Sequence, residues 1–186
     1  GFAVYRLGLQ QPLDARDLLD ARERGSLLHW ILEKVYSLAP NSDQVKALAE
    51  DSLESICAEA LKRHGKLPKP FAESEKIRLI KLIRGWLAIE ADRDTFDVIE
   101  TEHRHTVNLG DWQLQLRIDR LDKVGNDLVV IDYKSGNTST AAALSKPMTA
   151  PQLPLYSLIR DDITGVYYAQ LKHDDQKIIG VGDKNP

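Results

Sequence analysis

Two residues, Gly125-Asn126, stand between runs rich in β-forming side chains, Leu114 to Asp122 and Leu128 to Lys134, and a Gly-Asn pair in that setting signals a two-residue hairpin. The turn fixes the pairing register around it. With Val124 facing Asp127, counting outward in pairs sets Asp119 directly across from Asp132, their Cβ atoms roughly 4.5–5.5 Å apart. Two carboxylates so placed repel unless a proton or a cation sits between them, and a divalent metal is the economical explanation. Strand alternation sends Asp132 and Lys134 to one face, about 6.6 Å apart along the chain, and Tyr133 to the other. One face thus carries two anions and one ammonium.

Upstream of these strands the apolar period is helical. Asp14 can cap a first helical region in which Leu28, Ile31, Leu32 and Val35 form a stripe that Pro40 stops. A second helix follows Asn41-Ser42 with the stripe Val45, Leu48, Leu53, Ile56 and Ala60, and ends near Gly65 and Pro68. A third runs from about Ala72 to Ala91, with Ile77, Ile80, Ile83 and Leu87 on one side. From Phe96 the period becomes two. Asp97 to Val107, Trp112 to Asp122 and Leu128 to Lys134 read as an antiparallel meander turning at Asn108-Leu109-Gly110-Asp111 and at Gly125-Asn126.

Ser135 to Thr140 reads as a loop, Ala141 to Leu144 as a short helical turn, and Pro151 to Ile159 as the start of a helix; Val166 to Leu171 and Lys177 to Val181 read as further strands. A helix between two strands of one sheet permits a parallel crossover. The expected architecture is therefore α/β: a central mixed β-sheet, an antiparallel meander plus a crossover strand, flanked by helices, with an N-terminal helical region. Residues 1–186 read as one domain, 1–95 mainly helical and carrying His29, 96–186 the sheet core carrying Asp119, Asp132 and Lys134. The chain starts at Gly1 rather than Met, and reads as a piece of a longer protein.

Hydrophobic residues at 42% of 186 suffice for an ordinary core. The net charge of -3 provides no global basic field for a polyanion, so any nucleic-acid surface has to be local. A single cysteine, Cys57, rules out a disulfide framework, a CxxC zinc site and a four-cysteine iron–sulfur cluster within the chain. A reducing, cytoplasmic setting is expected. No apolar stretch approaches the ~20 residues that span a bilayer, so no membrane partner is expected.

Outside the strands, His29 lies on a helix face with Gly25 and Glu33, beside the apolar stripe, where Gly25 would allow close approach of a backbone or ligand. A lone histidine there is more often a hydrogen-bonded core residue than a ligand. Gln152 and Tyr156 are four apart and would share a helical face. Glu100 and Glu102 alternate along the first strand, and either could aim at the carboxylates, although solvated strand glutamates are the commoner case. His103-x-His105 sits on one strand face and could bind metal, with exposed strand histidines again the commoner case.

Taken together, Gly25-x-x-x-His29, Arg117-Ile118-Asp119-Arg120-Leu121-Asp122, Ile131-Asp132-Tyr133-Lys134-Ser135-Gly136 and Gln152-Leu153-Pro154-Leu155-Tyr156 resemble the RecB-like branch of the PD-(D/E)XK nuclease superfamily, in order and in spacing. The resemblance implies a restriction-endonuclease-like fold. It implies that His29, Asp119, Asp132 and the backbone carbonyl of Tyr133 coordinate Mg²⁺ or Mn²⁺, and that Lys134, beside Asp132 and Asp119, acts in catalysis. Gln152 and Tyr156 match an element along the nucleic-acid path, and Arg24 is grouped with them as substrate-binding. Many relatives hold a [4Fe–4S] cluster with four cysteines, which this chain lacks. Others are C-terminal nuclease modules of helicase-like repair proteins. The expected function is thus metal-dependent DNA cleavage in repair or recombination, with DNA and a helicase-like domain or subunit as partners. The alternative is a catalytically silent nucleic-acid-binding or scaffold domain of the same fold.

Overall fold

The computed structural model describes residues 18–65, 67–136, 155–156 and 158–182. Among the described residues four helices precede five strands: α1 (Ala21–Leu38), α2 (Ser42–Lys46), α3 (Glu50–His64), α4 (Lys69–Ala91), β1 (Asp97–Leu109), β2 (Trp112–Val124), β3 (Asp127–Lys134), β4 (Ile163–Lys172) and β5 (Asp175–Gly182).

Asp20 starts α1 with a capping box: its carboxylate accepts from Glu23 N at 2.7 Å, while the Glu23 carboxylate accepts from Asp20 N at 2.7 Å. Such a cap stabilises a helix by about 1 kcal/mol. Asp14, the cap expected from sequence, lies outside the described residues. The expected stripe is buried along α1, with Leu28, Ile31, Leu32 and Val35 joined by Leu27 and Tyr36.

The single helix expected after Asn41 is two. Asn41 caps α2, which stops at Lys46, and Ala49 is extended (φ -65°, ψ 142°) before α3 begins. The stripe itself explains the break. Leu48 to Leu53 is a five-residue step, too long for the three- or four-residue spacing of one continuous helical face. On α4 the buried face is Leu79, Ile80, Leu82, Ile83 and Trp86, whereas Ile77, expected within the stripe, points to solvent. Close approach of β5 is recorded at Gly85, where a Cβ would stand 2.2 Å from Gln176 Oε1; the Gln176 amide donates to Leu82 O at 2.8 Å.

The sheet has the order β1-β2-β3-β4-β5, antiparallel except for the parallel β3–β4 pair. It is the mixed sheet that the strand order implies. The connection between β3 and β4 falls largely outside the described residues, including the expected turn at Ala141 to Leu144 and most of the expected helix from Pro151. The turn between β1 and β2 is tighter than the four residues expected. Leu109 pairs with Trp112, leaving Gly110-Asp111 as a two-residue turn with Gly110 at φ 59°. Gly125 adopts φ 63° in the predicted β2–β3 turn, a backbone that glycine enters without a Cβ clash.

Residues from all four helices pack with Val129, Ile131, Tyr133, Tyr167, Ala169 and Leu171 of the sheet in the principal core. A smaller cluster of Ile118, Leu121, Leu128, Val130, Val166 and Tyr168 is closed by Tyr156. Alternation along β3 therefore runs as expected, with Ile131 and Tyr133 in the helix-bearing core and Val130 in the other. Along β2 it fails. Ile118 and Leu121, three apart, join the same cluster, and Asp119 lies between them.

Candidate metal centre

The β2–β3 ladder follows the register set by Gly125-Asn126 from Val124↔Asp127 to Arg120↔Ile131 and stops there, one pair short of Asp119 and Asp132. Beyond it the strands no longer pair, and the backbone amide of Tyr133 donates to Asp119 Oδ2 at 2.8 Å instead of to a strand. The same level is interrupted in β1. Thr101 pairs with Arg120 and His103 with Ile118, but the intervening Glu102 makes no ladder pair with Asp119 and has φ 51°. A non-glycine residue there costs about 1–2 kcal/mol, so the surrounding structure has to enforce it.

That conformation delivers Glu102 to the centre. His29 Nδ1 lies 3.2 Å from Glu102 Oε1 and 3.4 Å from Asp119 Oδ1, and His29 Nε2 is 3.2 Å from the carbonyl oxygen of Tyr133. Donor atoms of His29, Glu102 and Asp119 all lie within 4.8 Å of one another. Arg117 pairs with the second oxygen of Glu102. Solvation, taken as the commoner case for Glu102, does not describe it: its side chain is 9% exposed. The signal was present in the sequence. Counting back from a two-residue turn at Gly110-Asp111 sets Glu102 opposite Asp119, as counting from Gly125-Asn126 sets Asp132 there.

Asp132 is held apart from this trio. Its Oδ1 accepts from the Tyr156 hydroxyl at 2.8 Å and its Oδ2 lies 2.6 Å from Lys134 Nζ. Burial pushes the Asp132 carboxyl above the usual carboxylate range and the charge of Asp119 adds to that, while Lys134 and Tyr156 act in the opposite direction. For His29, burial alone would lower the imidazole pKa, but the hydrogen bonds and charges of Asp119 and Glu102 outweigh it and raise the value to about 10. The two carboxylates thus favour a positive charge between them.

Tyr133 is the fixed point behind the centre. Its ring stacks on Tyr36 with centroids 6.5 Å apart and meets Trp86 edge-on at 6.3 Å, and the Trp86 indole donates to Tyr36 OH at 2.7 Å. Arg120 donates to the Tyr133 hydroxyl at 3.4 Å and lies 4.0 Å over the Tyr36 ring. Arg120 is itself fully buried. It pairs with Asp122 and, at 2.8 Å, with Glu90, and Arg93 bridges Glu90 at 2.8 Å and Asp122 at 3.1 Å. Two guanidiniums and two carboxylates thereby join the end of α4 to β2. Nothing in the spacing of Glu90 and Arg93 announced this network.

The remaining expected positions fall as follows. Tyr156 is buried with its hydroxyl on Asp132. Gln152 lies outside the described residues. Arg24 is half-buried on α1, lining a groove with Arg78, Lys172, His173 and Ser135. A Cβ at Gly25 would meet Ser135 Oγ at 3.9 Å, an ordinary contact, so close approach does not require glycine there.

A mixed five-stranded sheet with helices packed on it, and an Asp-x-Lys triplet where a hairpin ladder opens beside a second aspartate, define the class of metal-dependent nuclease folds. The family model for the PD-(D/E)XK nuclease superfamily matches residues 2–177, and the chain belongs to that superfamily. Its members are typically hydrolytic nucleases that use divalent metal ions. No curated protein matches the chain. One solved structure, described as "Crystal structure of SSO0001", is 16% identical and covers 88% of this chain and 79% of its own, with a TM-score of 0.31. A likeness of that size carries no weight for this chain. Among the described residues no helix is long and apolar enough to cross a membrane.

The donor set fits a hard divalent cation. Carboxylate and carbonyl oxygens suit Mg²⁺ or Mn²⁺, and an imidazole shifts preference towards Mn²⁺. The side chains of His29, Asp119 and Glu102 converge on the Nδ1 side of the imidazole, the Tyr133 carbonyl meets its Nε2, and Asp132 stands alongside in the field of Asp119.

Proposed function

We propose that this chain is a Mg²⁺- or Mn²⁺-dependent deoxyribonuclease domain of the RecB-like type, serving DNA repair or recombination within a larger protein that carries a helicase-like domain or subunit. The observation that carries the reading is the convergence of His29, Asp119 and Glu102 where the β2–β3 ladder opens, with the Tyr133 carbonyl on the far nitrogen of His29 and Lys134 pinned to Asp132 beside it.

In this reading His29, Asp119, Asp132 and the Tyr133 carbonyl hold the ion, and Glu102 joins them. A bound divalent ion supplies Lewis acidity, activating water and offsetting charge on the phosphoryl oxygens. The chain's own groups do the rest. Arg120 and Tyr36 lock the Tyr133 ring while Asp119 holds its amide, so the intervening carbonyl keeps one orientation. Tyr156 and Lys134 hold the two oxygens of Asp132, fixing that carboxylate's plane. Lys134 sets its ammonium where charge develops on the phosphoryl group, and in a desolvated site a preorganised cation is worth far more than in water. Arg24, Arg78 and Lys172, lining the groove beside Ser135, meet the phosphate backbone, and such contacts position a strand without reading its bases.

The test is cleavage of single- and double-stranded DNA with Mg²⁺ or Mn²⁺ by the wild type, Asp132→Ala and Lys134→Ala, with matched RNA oligomers as controls. Cleavage of DNA by the wild type and its loss in both variants supports the reading. Equal cleavage by all three proteins overturns it, as does wild-type protein that binds DNA and yields no product.

A further inference from the structure

The backbone irregularity that delivers Glu102 to the candidate metal centre assembles a second cluster on the other side of β1. In a regular strand Glu100 and Glu102 share one face while His103 and His105 share the other. The left-handed conformation at Glu102 breaks that alternation, and Glu100 comes onto the face of the two histidines: His105 Nε2 lies 2.7 Å from Glu100 Oε2. The rings of His103 and His105 sit 4.9 Å apart, centroid to centroid. Donor atoms of all three residues lie within 4.8 Å of one another. The opposing strand makes the same change at the same level. Leu121, across from Glu100, and Ile118, across from His103, both belong to one apolar cluster although they are three apart.

From this geometry we infer that Glu100, His103 and His105 form a site for a first-row transition ion of the Zn²⁺ class, separate from the proposed nuclease centre. Two imidazoles and one carboxylate are a donor set that such ions favour over Mg²⁺, and three protein ligands leave coordination positions open. Ligand atoms around a tetrahedral Zn²⁺ are separated by roughly 3.3 Å, given bonds of about 2.0–2.1 Å. The hydrogen bond between His105 and Glu100 opens as the ion enters, and side-chain rotation brings the third donor in. All three ligands come from six consecutive residues of the strand at the sheet's edge, flanking the left-handed turn of Glu102. An ion there ties both sides of that turn together and so holds Glu102 in its place opposite Asp119.

The experiment measures Co²⁺ and Zn²⁺ binding by calorimetry and by the visible absorption of Co²⁺, without any nuclease readout. Five proteins are compared: the wild type, His103→Ala/His105→Ala, Asp119→Asn/His29→Ala, the combination of all four substitutions, and Asp119→Asn/His29→Ala with Glu100→Gln added. The inference predicts that Asp119→Asn/His29→Ala still binds one ion with nitrogen-ligand absorption, and that the fourfold variant loses it. Glu100→Gln, which preserves shape, should weaken that binding at least tenfold. Zn²⁺ should raise the melting temperature of Asp119→Asn/His29→Ala but not that of the fourfold variant. Equal Co²⁺ binding with and without His103 and His105, or no ion bound by Asp119→Asn/His29→Ala, overturns the inference. Because cleavage is never read, failure of the nuclease proposal leaves this outcome legible.

Discussion

The amide of Tyr133 donates to the carboxylate of Asp119 at 2.8 Å, so one oxygen of Asp119 holds the backbone of β3 while the other, 3.4 Å from His29 Nδ1, belongs to the candidate centre. The two roles are separable by substitution. An asparagine at 119 keeps an oxygen for the Tyr133 N–H, whereas an alanine leaves a buried donor without a partner at a cost of about 1–3 kcal/mol. Asp119→Asn is therefore expected to unfold in urea closer to the wild type than Asp119→Ala does. Both variants should lose most Mn²⁺ affinity in calorimetry, since both remove the charge.

Arg120 sits at zero exposure between Glu90 and Asp122, with Arg93 completing the group. Removing one partner from such a buried set strands the others, typically at 3–5 kcal/mol. Arg120→Met should show a loss of that size in urea unfolding, even though methionine fills much of the volume. It should also lower cleavage, because the Tyr133 hydroxyl and the Tyr36 ring lose the guanidinium they pack against. A variant with wild-type stability would mean that the network is neutral to the fold.

How far the sequence revealed these features depended on their range. The hairpin register followed from two turn residues as far as Arg120 and Ile131, because pairing across a tight turn is local arithmetic, but the ladder opens one pair before Asp119 and Asp132, which the turn does not announce. Lys134 beside Asp132 followed from strand alternation, whereas spacing placed His29 only on a helix face and its expected role came from the family resemblance. Glu102 was half-legible: its register was countable once the β1–β2 turn was taken as two residues, but its left-handed backbone accompanies tertiary contacts of its side chain with His29 and Arg117 that no local pattern encodes. The pairing of Glu90 and Arg93 with Arg120 is a tertiary contact between α4 and β2, which no local pattern encodes. The break between α2 and α3 was legible as the five-residue step from Leu48 to Leu53, a phase slip that a composition-led reading passes over.

Lys134 Nζ lies 2.6 Å from Asp132 Oδ2, and Asp132 stands next to Asp119 in a buried setting. Lys134→Ala removes the cation that offsets this pair, so the two carboxylates should hold a divalent ion as tightly as in the wild type, or more tightly. Cleavage should nonetheless fall roughly 10²–10³-fold, the usual consequence of deleting one preorganised group that stabilises transition-state charge. Calorimetric Mn²⁺ titration alongside single-turnover cleavage distinguishes this from a structural role. Parallel losses of affinity and rate would assign Lys134 to holding the site together.

Cys57 lies on α3 with no exposed surface, and burial pushes its thiol up from 9.0 to about 12, helped by the charge of Glu54. The fold therefore favours the neutral thiol. A group whose pKa is raised in the folded state contributes its full stability below its unfolded value and loses it as the pH climbs towards the folded one. Between pH 8 and 10.5 the urea midpoint of the wild type should thus fall relative to that of Cys57→Ala, which has no thiol to ionise. Comparison of the two proteins cancels the titration of tyrosines and lysines common to both. The same burial predicts that iodoacetamide leaves native Cys57 unmodified at pH 8, where the unfolded chain reacts readily, because alkylation needs an exposed thiolate. Prompt alkylation of the native protein, or a midpoint difference independent of pH, would place Cys57 in a far more open environment than the α3 core provides.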